Sequence, residues 1–146
     1  MKSLLIIIVL ILPVFCSGQE LTSENFQEYI EGTWVYSGFC DEEWEEKSWM
    51  CVDTNKIDSS GIVLSTRVCE GMEDPMVTKS KWTRFDSENM VIYGSYIDFL
   101  FGTGWIEEQV VYTVFKFLED EMWLEAEAFT EGSDEPQTLR VIYRRI

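Results

Sequence analysis

Four cysteines, 27 carboxylates and no histidine set the chemistry open to this chain. Without an imidazole, no Ser-His-Asp or Cys-His pair can activate a nucleophile, and every His-containing zinc motif is excluded. Cys16, Cys40, Cys51 and Cys69 form no Cys-x-x-Cys cluster. Their expected chemistry is pairing in an oxidising compartment rather than zinc binding. Two carboxylates at the right separation can cleave a glycosidic bond, but among 27 acids some pair always stands close, so the pattern carries no information. The chain reads as non-enzymatic, with no catalytic residue, metal or cofactor to assign.

The segment Asp41-Glu42-Glu43-Trp44-Glu45-Glu46-Lys47-Ser48-Trp49 sets two tryptophans among five carboxylates. Trp44 and Trp49 are expected to form a lid, since an exposed indole can stack on a ligand or grip a basic partner. The spacing of the acids matches no defined calcium loop. The plainer alternative is a solvated loop with one tryptophan tucked onto its support.

Strands must position these residues. After a short helical or irregular lead through Phe26 and Tyr29, period-two and apolar runs predict eight strands, at 33–40, 49–57, 62–69, 76–85, 89–97, 106–118, 122–130 and 137–145. Gly, Ser and Asp clusters punctuate them, including Gly102-Thr103-Gly104 and Gly132-Ser133-Asp134. Short turns between sequential strands predict an all-β, antiparallel up-and-down barrel, which leaves no sheet edge exposed; a sandwich is the alternative.

Ser59-Ser60-Gly61 fits a three-residue hairpin with Gly61 in the left-handed position. That register sets Cys51 opposite Cys69, Val52 opposite Val68, Asp53 opposite Arg67 and Thr54 opposite Thr66, all favourable neighbours. It predicts a Cys51–Cys69 disulfide. Cys40 with Cys51, closing the acidic loop, is the competing pairing. Alternation places Met122, Leu124, Ala126 and Ala128 on one face of their strand, and Leu139, Val141 and Tyr143 opposite Arg140 and Arg144. On the sixth strand Val111, Thr113, Phe115 and Phe117 share a face. The small Ala126 and Ala128 point to interior space.

Residues 1–18 read as an export signal, with Lys2 as the positive start and Leu4 to Phe15 as an apolar run shorter than a spanning helix. Phe15 stands where a lipoprotein signal has a small residue, which disfavours lipid anchoring through Cys16. Residues 19–146 are expected as one domain, secreted or periplasmic, with no stable membrane insertion. Losing Lys2 takes the basic side chains from 11 to 10 and the net charge from −16 to −17. That balance argues against nucleic acid and favours cations or a basic protein as partners.

Gly32-Thr33-Trp34 at the start of the first strand, behind Asn25-Phe26-x-x-Tyr29 and ahead of a terminal Tyr143-Arg144-Arg145, resembles the lipocalins and the wider calycin group. Among these it looks like the small lipocalin-like proteins of bacterial envelopes. The resemblance implies that Gly32 and Trp34 help close one barrel end, with Arg144 or, one register away, Arg145 packed on the indole. It also implies a cavity for a small hydrophobic molecule, lined by Trp34, Tyr36, Tyr93, Phe115, Leu124 and Tyr143. The chain ends on its last strand without the helix that follows in classical lipocalins, and it lacks the Asn and Ser pattern of biotin-binding barrels. A packed barrel acting as an acidic interaction or inhibitor module for a basic protein is the alternative.

Overall fold

The computed structural model describes residues 20–98, 104–105, 107–128 and 134–146. The expected export signal with Cys16, and most of the turns at 102–104 and 132–134, lie outside these residues, as does the Ala128 side chain. One helical turn, α1 (Phe26–Ile30), leads into β1 (Gly32–Cys40), β2 (Glu46–Ile57), β3 (Ile62–Cys69), β4 (Met76–Asp86), β5 (Val91–Asp98), β6 (Gly104–Trp105), β7 (Gln109–Phe117), β8 (Glu121–Ala128) and β9 (Gln137–Arg145).

Every pairing is antiparallel, and the order β4-β3-β2-β1-β9-β8-β7-β5 closes on itself through β4 and β5. The result is an eight-stranded up-and-down barrel. The two-residue β6 is an appendage on the end of β5, pairing Ile97 with Trp105. It takes the place of the start expected for the sixth long strand.

The β2–β3 hairpin follows the register set by its turn. Gly61 has φ +80°, its N–H donates to Asp58 O at 2.9 Å, and a Cβ there would stand 2.2 Å from Trp82 O, so only glycine fits. Cys51 pairs with Cys69 in a disulfide, and Val52–Val68, Asp53–Arg67 and Thr54–Thr66 face each other as expected. Cys40 is a free thiol. Burial, and then the Glu46 carboxylate, push its pKa up, which keeps it protonated and weakly nucleophilic.

The barrel end entered by α1 is plugged. Trp34 is fully buried and donates its indole N–H to Ile30 O at 2.8 Å, while Phe26 stacks on Phe85 with ring centroids 5.7 Å apart. The cation over Trp34 is Arg145, 4.4 Å from the ring, and not Arg144. Arg145 shares the inward face of β9 with Val141 and Tyr143, and donates to the carbonyls of Glu31, Glu119 and Tyr29. Arg144 points outward into a bidentate pair with Glu46 at 2.7 and 2.8 Å.

The face expected on the sixth strand is corrected by two bulges. Tyr93 pairs with Val110 while Ile92 pairs with Tyr112, so Val111 is an extra residue; Phe115 is likewise extra between Val114 and Lys116. Each insertion flips the alternation. Tyr112, Val114 and Phe117 therefore contribute to the interior, and Phe115 stands on the outer wall, 63% exposed.

Replacing Arg145 with Ala strips three carbonyls and the Trp34 ring of their partner and should cost about 2 kcal/mol. Arg144→Ala removes a surface pair and should stay within about 1 kcal/mol in the same denaturant titration. Cys51→Ala with Cys69→Ala opens a cross-link of sequence separation 18. That pair of changes should lower the unfolding free energy by roughly 2–3 kcal/mol, read from the denaturant midpoint.

Candidate binding cavity

Away from the Trp34 plug the inward residues change character along each strand. On β2 the inward sequence runs from Ile57 through Asn55 to Asp53, on β3 from Val63 through Ser65 to Arg67, and on β4 from Trp82 through Ser80 and Thr78 to Met76. Short hydroxyl side chains on β3 and β4 thus face the tyrosines of β1, β7 and β9 across the barrel. Between these walls lies a cavity of about 180 Å³. The space comes from Ser65, Thr78 and Ser80, whereas Ala126 is not part of the wall. An eight-stranded barrel is just wide enough to be filled by side chains, so a row of small ones leaves it hollow.

A polar network stiffens the wall. Arg67 donates through Nε and Nη2 to both carboxylate oxygens of Asp53, at 2.8 and 3.0 Å, and through Nη2 to the Tyr36 hydroxyl at 3.3 Å. Asn55, Tyr112 and Tyr143 stand beside this network on the cavity wall. Asp53 is only 4% exposed, so the network satisfies a carboxylate that would be costly to bury alone. Edge-on ring contacts complete the wall: Tyr36–Tyr143 at 4.9 Å and Trp82–Tyr112 at 5.5 Å.

Burial dominates the titration of these phenols. It pushes Tyr36 and Tyr143 well above the ordinary tyrosine range, raises Tyr112 and lifts Tyr96 to about 12. The neighbouring Asp53 carboxylate adds to the rise at Tyr36. Arg67 is held still more firmly in its charged form by the Asp53 carboxylate.

Of the six residues expected to line a cavity, Tyr36 and Tyr143 do so. Trp34 belongs to the plug and Leu124 to the packed interior, fully buried and outside the cavity wall. Tyr93 lies on the outer face under the Arg84 guanidinium, 3.5 Å from its ring, and Phe115 is displaced outward by its bulge.

The lid expectation divides. Glu46–Trp49 belong to β2, and Asp41 tightens what remains of the loop by accepting from the Glu43 and Glu45 N–H groups at 3.1 and 2.9 Å. Trp44, at φ +62°, is thrown onto the outer wall, stacked 4.9 Å from Phe115 and 5.2 Å from Trp123. Trp49 turns inward, parallel to Tyr36 at 6.3 Å, with the Arg67 guanidinium 4.7 Å from its ring.

Sequence reasoning missed Arg67, Asp53, Asn55 and Tyr112 as site residues. The hairpin register had already set Asp53 opposite Arg67, and period two from Cys51 puts Asp53 and Asn55 on the face of Ile57; that was the available signal. Among the described residues no three His, Cys, Asp or Glu side chains stand close enough to hold a metal ion. No protein-family model, curated protein or solved structure matches the chain.

The raised phenol pKa values set an alkaline limit. Below about pH 10 the tyrosines are neutral in both folded and unfolded chains, and their contribution is fully present. As pH rises from 10 toward 12 the unfolded chain sheds phenolic protons that the barrel retains, so stability falls through that window. Phenolate absorbance should lag behind free tyrosine and then rise together with loss of the folded circular dichroism signal. Tyr143→Phe removes one hydroxyl from the cavity wall and should change stability by no more than about 1 kcal/mol by denaturant titration.

Proposed function

We propose that this protein is an exported, lipocalin-like barrel that binds one small amphipathic molecule in the polar end of its interior. The observation that carries the reading is the cavity of about 180 Å³, in which aromatic rings face the hydroxyls of Ser65, Thr78 and Ser80, bonded to no side chain among the described residues. Pockets for drug-sized ligands run to roughly 300–1,000 Å³, so the space suits a single substituted ring better than an acyl chain. The polar side chains of the wall narrow the expected hydrophobic ligand to one with a polar head. No residue is assigned a catalytic role.

Export is supported by the signal-like residues 1–18 and by the Cys51–Cys69 disulfide. Among the described residues no helix is long and apolar enough to cross a membrane. The lipocalin likeness rests on the Gly-x-Trp entry, the Arg145 cap on Trp34 and the barrel topology. One observation favours the alternative of an acidic module for a basic protein: Trp44, Phe115 and Trp123 form an aromatic cluster on the outer wall.

Native mass spectrometry of the protein recovered from its secreting cells, before and after organic extraction, tests the reading. A recurring small adduct that extraction removes is the expected result. A ligand-free mass in both samples, with no tryptophan fluorescence response to a panel of small aromatic compounds, would overturn it.

A further inference from the structure

Overall charge and cavity chemistry point in opposite directions about the ligand. A chain of net charge −16 draws cations toward its surface. Inside the cavity, however, the carboxylate of Asp53 is 4% exposed and already accepts from Arg67 on both oxygens. Among the described residues the cavity wall holds no other carboxylate to receive an ammonium group.

Arg67 offers the reverse. Its side chain is 35% exposed, and Nη1 donates to no acceptor among the described residues. Asp53 holds one edge of the guanidinium and Trp49 packs against it at 4.7 Å, so the free N–H pair points in a set direction. Beside it on the same wall stand Ser65 and Thr78, register partners on β3 and β4. Among the described residues their hydroxyls have no side-chain partner, and Tyr36 and Tyr143 face them across the cavity.

Building on the cavity reading above, we infer that the ligand is a small aromatic carboxyl compound, acid or amide. Its oxygen accepts from Arg67 Nη1 and from the Ser65–Thr78 hydroxyls, and its ring lies against the tyrosines. An aromatic amine of the same size is disfavoured, because its ammonium group meets the Arg67 cation and the Asp53 carboxylate is already paired.

The test is titration of the full barrel with benzoate, benzamide, benzylamine and toluene, followed by calorimetry and by the aromatic resonances of Trp82 and Tyr112. Benzoate and benzamide should bind at least about tenfold more tightly than benzylamine, the margin of one charge-assisted hydrogen bond. Benzylamine binding as well as benzoate, or toluene as well as benzamide, would overturn the inference while leaving the cavity reading intact. Silence from all four would overturn both.

Arg67→Lys keeps a cation for Asp53 but loses the fork, and should weaken benzoate and benzamide severalfold without changing toluene. Should that variant fail to fold, Asp53→Leu with Arg67→Met removes the pair as a unit, leaves no orphan charge, and should abolish the preference for benzoate over toluene. Undiminished benzoate binding by either folded variant would overturn the role of Arg67.

Discussion

Closure of an eight-stranded ring is the constraint on which the rest of this structure depends. Once β4 pairs with β5, the sheet closes and the interior has a set width, so each inward side chain either fills its share or leaves a gap. At the α1 end the inward residues are large: Trp34, Phe26, Phe85 and Met122 fill the space, and Arg145 fastens the plug to three carbonyls. At the other end, Ser65, Thr78 and Ser80 are too short to cross it. Cavity and plug are thus one packing problem solved with different side-chain sizes.

The hollow end keeps its shape through polar contacts rather than apolar contact alone. Asp53 is buried and would be left without a partner if this half-buried ion pair were broken, so Asp53 and Arg67 hold each other in place even if the pair adds little net stability. The β2–β3 disulfide and the Gly61 turn fix the register that makes this pair possible. A one-residue slip would turn Asp53 and Arg67 to the outer face and bring Val52 and Val68 in. Cross-link, turn and cavity chemistry are therefore coupled through a single hairpin. Surface charge plays no part in this arrangement: the acidic excess lies largely outside, where it favours solubility and shapes the approach of ligands.

Legibility in the sequence followed the range of the interactions. The β2–β3 register could be read because a three-residue turn determines it locally. Arg145 could have been chosen over Arg144 by the same kind of reasoning, since period two from Val141 and Tyr143 leads to residue 145. Phe115 could not be placed this way. It is turned outward by a bulge in the β7–β8 pairing that no turn residue announces, whereas Tyr93 faces out by plain alternation with the buried Ile92. Trp44 was misplaced for a similar reason: the turn built on Asp41 carries the loop onto the outer surfaces of β7 and β8.

By itself the sequence determined the strand periodicity, the hairpin around Gly61, the register that sets Cys51 opposite Cys69 and the acidic balance, because each depends on neighbours in the chain or on composition alone; the structure decided the disulfide between Cys51 and Cys69 over Cys40 with Cys51. Only the tertiary structure decided which residues meet in the cavity. Tyr36, Asp53, Arg67, Tyr112 and Tyr143 come from five strands, and their convergence depends on ring closure, on two bulges and on which end of the barrel is plugged. Those are properties of the assembled sheet, where one inserted residue reverses a face and one small side chain opens a space.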